Sequence, residues 1–400
     1  MAMRLYDTTS QAVVPFEPGP VVRMYVCGIT PYDSTHLGHA AVYLTHDILI
    51  RRLEDLGHTV EMVRNYTDID DPLYAKAATL GVRAMELAES EITRFRADMA
   101  ALEMRPALAE PRVSTSIPEI IEAIDSLRQR GNTYQADDGT LYFDVTTFES
   151  FGGLSGFTAD EMVALSRERG GAPDDPRQRH PLDFVLWKPS ADGEDAFDAP
   201  WGAGRPGWHI ECTAMVFANL GRDTIDLHGG GSDLVFPHHE CEIAQSEAIT
   251  GEPFARHWLH QGMVAYHGEK MSKSLGNLVF VSELVKQADP RAVRLAVLGH
   301  HYQAGFEWHD DELAQGLARL HRLVAAAAGP TGPDPAPFAE RVRAALDDDL
   351  DTPTALAVLD ELATSILAPE TGDDQGAADI LAELALLVGV DTSRPVNPLT

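Results

Sequence analysis

The stretch VVRMYVCGITPYDSTHLGHAAVYLTHDILIRRLEDLGHTVEMVRNYTD, residues 21–68, decides the fold. Val21 to Val26 are mostly β-branched or aromatic and run into Cys27-Gly28, which predicts a strand. An irregular segment containing Pro31 and Gly38 follows. Val42, Leu44, Ile48, Leu49 and Leu53 then recur at helical spacing between Ala40 and Leu56, and Gly57 stops the run. Thr59 to Val63 reads as a second strand leading into Asn65-Tyr66-Thr67-Asp68. Strand, helix and strand in this compass form a βαβ unit, which implies a parallel sheet. Ligands of such sheets bind beyond the carboxyl ends of the strands. Segments 27–39 and 65–71 both fall there.

Outward from this unit, residues 72–104 look helical. A helix over Ile117 to Arg130, a strand over Leu141 to Val145 and a Gly- and Pro-rich polar stretch follow. These read as a connective region, 111–200, inserted between two halves of the sheet domain, 1–110 and 201–300. In the second half, strands are expected at Thr224–Leu227 and Gly262–Ala265. Residues 301–400 read as a helical domain, with helices over Leu313 to Ala328, Phe338 to Leu346, Thr352 to Leu367 and Ala377 to Val388.

Charge narrows the function. Asp and Glu number 62 against 31 Lys and Arg, a net of −31, and only five lysines occur: Lys76, Lys188, Lys270, Lys273 and Lys286. Nucleic-acid binding normally demands a basic surface, so such a partner is disfavoured. Three cysteines, Cys27, Cys212 and Cys241, are too few for a disulfide framework in 400 residues. The N-terminus carries no signal-peptide core, and no run of about 18 apolar residues offers a membrane span. A cytoplasmic, monomeric protein is the expectation, with cysteines suited to metal or catalysis.

Two motifs carry phosphate chemistry. His36-Leu37-Gly38-His39 sets two imidazoles on one side of a helix N-terminus, where free N–H groups favour a phosphate. Lys270-Met271-Ser272-Lys273-Ser274 places two of the five lysines on a polar loop suited to a triphosphate. A third constellation is dispersed: Cys27 at the strand end, Cys212 in GRPGWHIEC (204–212), and His238 and His239 in GGGSDLVFPHHE (229–240). Two thiolates with imidazole suit zinc.

Together the HLGH and KMSKS motifs resemble the signatures of the class I aminoacyl-tRNA synthetase superfamily, and the chain as a whole is similar to its cysteine-activating branch. The resemblance implies a Rossmann-like nucleotide-binding domain with an inserted connective region and a C-terminal helical bundle. It implies catalytic roles for His36, His39, Lys270 and Lys273, and one zinc ion on Cys27, Cys212 and His238, with Glu242 matching the fourth ligand of cysteinyl-tRNA synthetases. Cys27, Gly28, Ile29, Thr30, Val42, Asn65, Tyr66, Thr67, Trp208, Gly231, Ser232, Asp233 and Val264 would bind the substrate or adenylate, and Mg²⁺ would accompany ATP. Two acceptors fit: tRNA, as in cysteinyl-tRNA synthetase, or the amine of glucosaminyl-inositol, as in the mycothiol-pathway ligases. The Ile29-Thr30-Pro31 run, Ala40-Ala41 and ERGGAP (168–173) look ligase-like, although Ala172 replaces the ligases' Asp. His228 and Glu242 look more synthetase-like. Residues 311–400 hold sixteen acidic side chains, five arginines and no lysine, a balance of −11, with Phe338 the sole Phe, Tyr or Trp. Such a tail would repel phosphates and offers little base stacking, which favours cysteine, ATP and glucosaminyl-inositol as the partners.

Overall fold

The computed structural model describes residues 3–271, 276–368 and 372–397. At its centre lies a four-stranded, all-parallel sheet in the order Trp258–Gln261, Leu227–Gly231, Val21–Ile29, Thr59–Tyr66. The first strand alternates: Val22, Met24 and Val26 enter one apolar core, while Tyr25 and Cys27 enter the other. This period of two buries both faces, as a parallel sheet requires. The helix Leu37–Asp55 packs on the first face; Trp208–Leu220 packs on the second.

From the first strand the chain crosses to Thr59–Tyr66 on one side, and the later strands return on the other. The order therefore reverses between Val21–Ile29 and Leu227–Gly231, which opens a crevice at their carboxyl ends.

The strand expected at Thr224–Leu227 instead occupies Leu227–Gly231, and the fourth sheet strand, Trp258–Gln261, is absent from the sequence reading. Neither LHGGG nor WLHQ carries a strand's apolar signature. Their composition answers to packing: a Cβ on Gly229 would lie 2.0 Å from His46 Nε2, so the buried His46 ring of the helix Leu37–Asp55 fills the space a side chain would need. The segment expected at Gly262–Ala265 forms Val264–Tyr266 in a separate sheet with Glu269–Lys270 and Phe306–Trp308.

Between the halves, Thr133–Gln135, Leu141–Phe143, Phe184–Lys188 and Arg205–Pro206 form an antiparallel sheet that packs with the helix Ile117–Arg130 against the second core. Helices Glu312–Ala327, Ala336–Asp347, Thr352–Leu367 and Ala377–Leu387 build the C-terminal bundle. Fully buried Arg294 joins it to the sheet domain, donating to Val388 O at 2.6 Å and Leu102 O at 3.0 Å, and pairing with Asp47. Among the described residues no helix is long and apolar enough to cross a membrane.

Candidate active site and metal cluster

A cavity of about 190 Å³ opens at the switch point, lined by Cys27, Gly28, His36, His39, Val42, Gly231, Asp233 and Val264. His36 caps the helix, its Nδ1 accepting from Gly38 N at 3.1 Å, and its ring stacks on His39 at 3.8 Å between centroids. Both imidazoles thus stand at the positive end of the helix dipole. The chain beyond the KMSKS motif is laced to the same place: Leu37 N donates to Val279 O at 2.8 Å and Val281 N to Thr35 O at 3.1 Å. Met271 lines the cavity, and Lys270 ends a short strand at its rim. The Lys270 side chain and the whole of Lys273 lie outside the described residues.

Gly28 N donates to Asn65 Oδ1 at 2.7 Å, and a Cβ on Gly28 would lie 1.6 Å from Asn65 O. The two strand ends can meet this closely only through glycine. Asn65 Nδ2 in turn donates to Thr67 Oγ1 at 3.1 Å, and Thr67 N to Ile29 O at 2.9 Å. Thr30 Oγ1 donates to Asp70 Oδ2 at 3.2 Å, and burial raises the Asp70 carboxyl to about 6. Tyr66 is not brought into the cavity. Its hydroxyl bonds Glu110 at 2.9 Å and its ring meets Phe95 edge-on in the first core. Ser232 begins the turn beside Asp233 without lining the cavity.

Below the cavity floor, four side chains from three segments converge. One ligand atom each from Cys27, Cys212, His238 and Glu242 lies within 4.8 Å of the others, all four residues buried. The two sulfurs are 4.0 Å apart. Trp208, half-buried, stacks on His238 at 4.3 Å, and His209 Nδ1 faces His238 Nδ1 at 3.0 Å, leaving His238 Nε2 toward Glu242. A second set, Cys27, His228, His239 and Glu242, meets the same distance limit. His239 Nε2 sits 3.3 Å from Cys27 Sγ, and its Nδ1 contacts His260 Nε2 at 2.7 Å.

Neither oxygen of the fully buried Glu242 carboxyl has a hydrogen-bond partner, although His228 Nε2 comes within 3.1 Å of one. Burial pushes the Cys27 and Cys212 thiols and the Glu242 carboxyl up, and the His238 and His239 imidazoles down. A buried acid without a donor is costly. A cation among these groups would supply what Glu242 lacks and favour the thiolates. The donor set of two sulfurs, an imidazole and a carboxylate therefore fits zinc. Cys241 lies apart, buried in the second core.

Several cavity residues escape the sequence reading: Tyr43, Leu234, Gln261, Gly262 and Met263. Gln261 ends the strand that was itself unreadable, and Gly262-Met263 follow it. Outside the cavity lining, Glu211 is wholly buried near Thr67, and burial pushes its carboxyl up. An acid within the largely apolar helix Trp208–Leu220 was its available signal.

The sequence profile described as the tRNA synthetases class I (C) catalytic domain matches residues 13–318, and that of the DALR domain matches 341–390. A relative in Streptosporangium roseum, named L-cysteine:1D-myo-inositol 2-amino-2-deoxy-alpha-D-glucopyranoside ligase, is 49% identical over 97% of this chain and 95% of its own length. The chain belongs to this ligase family, within the class I synthetases. A ligase of the same name in Thermobifida fusca is 48% identical over 98% of the chain and 95% of its own. The class I fold extends to remote structures. Mycobacterium tuberculosis methionyl-tRNA synthetase in complex with methionyl-adenylate superposes with a TM-score of 0.64 at 16% identity, over 92% of this chain and 89% of that one. The leucyl-tRNA synthetase of Agrobacterium radiobacter K84, in its ternary complex, gives 0.64 at 13% identity, over 94% and 86%.

Proposed function

We propose that this chain activates L-cysteine with ATP and transfers it, through cysteinyl-AMP, to the amine of glucosaminyl-inositol, releasing AMP and pyrophosphate. The observation that carries the reading is the meeting of Cys27, Cys212, His238 and Glu242 at the floor of a cavity whose wall is the His36–His39 helix start.

Cys27, Cys212 and His238 would hold one zinc ion, with the orphaned Glu242 as a fourth donor. When bound, zinc supplies a soft electrophilic contact for the substrate thiol that serine's hydroxyl cannot match at neutral pH. The remaining work falls to the chain. Gly28, Thr30, Asn65 and Thr67 shape the cleft beside the metal cluster, and Trp208 closes it over His238. Gly231, Asp233 and Val264 face the nucleoside across the cavity. As the cysteine carboxylate attacks the α-phosphate of Mg²⁺-ATP, His36 and His39 donate hydrogen bonds to the developing charge, aided by the helix N-terminus. Lys270 and Lys273 neutralise the charge on the leaving pyrophosphate. In the second step the sugar amine attacks the activated carbonyl as a neutral nucleophile and AMP departs.

The Lys273→Ala variant is expected to lose about 10²–10³-fold in cysteine-dependent pyrophosphate exchange, the scale of one transition-state charge donor. Its metal content and cysteine affinity should stay near wild type. Unchanged exchange removes Lys273 from the mechanism. The acceptor is tested separately, by offering ATP and cysteine with either glucosaminyl-inositol or tRNA and weighing the products by mass spectrometry. The expected product is the cysteinyl amide of the sugar; charged tRNA without amide overturns the assignment.

A further inference from the structure

The ERGGAP segment contains an arginine that reaches out of the inserted region. Helix Ala159–Glu168 ends at Arg169, and the following Gly170, with φ of +89°, turns the chain back so that Gly171 N bonds Ser166 O at 2.8 Å. From this turn a single guanidinium nitrogen of Arg169, Nη1, donates to Asp233 O at 2.7 Å and to Phe236 O. Those two carbonyls bracket the irregular stretch between the strand Leu227–Gly231 and the helix Glu240–Thr250. Asp233 lines the nucleotide cavity, and His238, two residues past Phe236, enters the metal cluster. The far end of the stretch is held from the same region. The fully buried Glu240 accepts from Gly152 N at 2.8 Å and Ser155 N at 3.1 Å. Between these anchors Phe236 leaves helical geometry, with φ −137° and ψ 135°, so local backbone bonding alone does not fix where His238 points.

We propose that Arg169 is a positioning residue: by clamping the carbonyls of Asp233 and Phe236 it sets Asp233 against the nucleotide cavity and His238 in the metal cluster together. The clamp gives the inserted region a direct hold on both halves of the site. It accounts for Arg169 followed by two glycines, since a charged donor must approach two backbone carbonyls from a tight turn. Charge-assisted bonds to backbone are strong enough that losing them displaces a loop with measurable effect.

Arg169→Met removes the donors and keeps the bulk of the stem; Arg169→Lys restores one cationic donor group. Each variant is loaded with zinc, and three quantities are read: the rate of zinc release to a chelator, the cysteine KM and kcat in pyrophosphate exchange, and the melting temperature. Arg169→Met should release zinc about tenfold faster and raise the cysteine KM about tenfold, with kcat within about threefold of wild type, on the scale of one charge-assisted hydrogen bond. Arg169→Lys should recover most of both losses. The proposal fails if Arg169→Met matches wild type in zinc release and KM. It also fails if both variants are equally impaired and melt at the same lowered temperature, the mark of a merely structural role. The kinetic arm rests on the cysteine-activation reading. Absence of exchange in the wild type would count against that reading, while zinc release still decides the clamp.

Discussion

Cys27→Ala is expected to abolish zinc retention and to lower cysteine-dependent pyrophosphate exchange by about 10³-fold or more, the loss of several kcal/mol of metal-derived stabilisation. Cys27 belongs to both ligand sets in the cluster, those of His238 and of His239, so its sulfur has no substitute on either side. Its loss also leaves Glu242 buried without a cation, with Cys212 and His228 as its remaining polar neighbours, and burial then favours the protonated carboxyl. Selectivity should fall with activity, because serine and cysteine then differ only by size and weak polarity. Cys241→Ala is the matched control. It removes the same thiol from a buried position in the second core, outside both ligand sets, and should keep its zinc and most of its exchange activity. Metal analysis together with exchange rates on both variants checks the prediction. Full zinc content in Cys27→Ala would move the metal away from this cluster.

Gly28→Ala is expected to cut kcat/KM for exchange by about 10²-fold with little loss of zinc. The added Cβ would lie 1.6 Å from Asn65 O, about half the distance two such atoms tolerate, and the obstacle is backbone rather than a flexible side chain. The strand ends Val21–Ile29 and Thr59–Tyr66 must therefore part, breaking the Gly28 N to Asn65 Oδ1 bond and carrying Thr67 with it. Overpacking of this kind costs about 1–3 kcal/mol of stability. Displacing substrate-positioning groups by about 1 Å costs about 10²-fold in rate. Thermal melting separates the two effects: a folded variant with wild-type zinc and normal kinetics would show that the strand separation is irrelevant to the site.

Residues 21–68 made the βαβ unit readable because its strands are β-branched and its helix is amphipathic. Those patterns persist in the structure as Val21–Ile29, Leu37–Asp55 and Thr59–Tyr66. The C-terminal helices were legible for the same reason: Thr352–Leu367 carries a continuous apolar stripe. The strands Leu227–Gly231 and Trp258–Gln261 were not. Their residues, LHGGG and WLHQ, answer to what packs over them and what they present to the site, not to strand propensity.

The site divides along the same line. HLGH is local: its spacing and its helix start lie in one stretch, so the stacking of His36 on His39 follows from sequence neighbours. The metal cluster is not local. Cys27, Cys212, His238 and Glu242 span more than two hundred residues, and only the parallel sheet and the two helices on its second face bring them within 4.8 Å. Tyr66 shows the reverse. It follows Asn65 in sequence, but the strand's alternation turns its ring into the opposite core.

By itself, then, the sequence determined the parallel α/β frame, the paired histidines at a helix start and the acidic, lysine-poor composition, because these depend on periodicity, adjacent residues and composition. The tertiary structure decided which buried acids and imidazoles face one another, that Glu242 stands without a donor beside two thiols, and that Arg169 reaches across to the loop of Asp233 and His238. Those relations arise from packing between segments far apart in the chain, and packing leaves no periodic trace in a sequence.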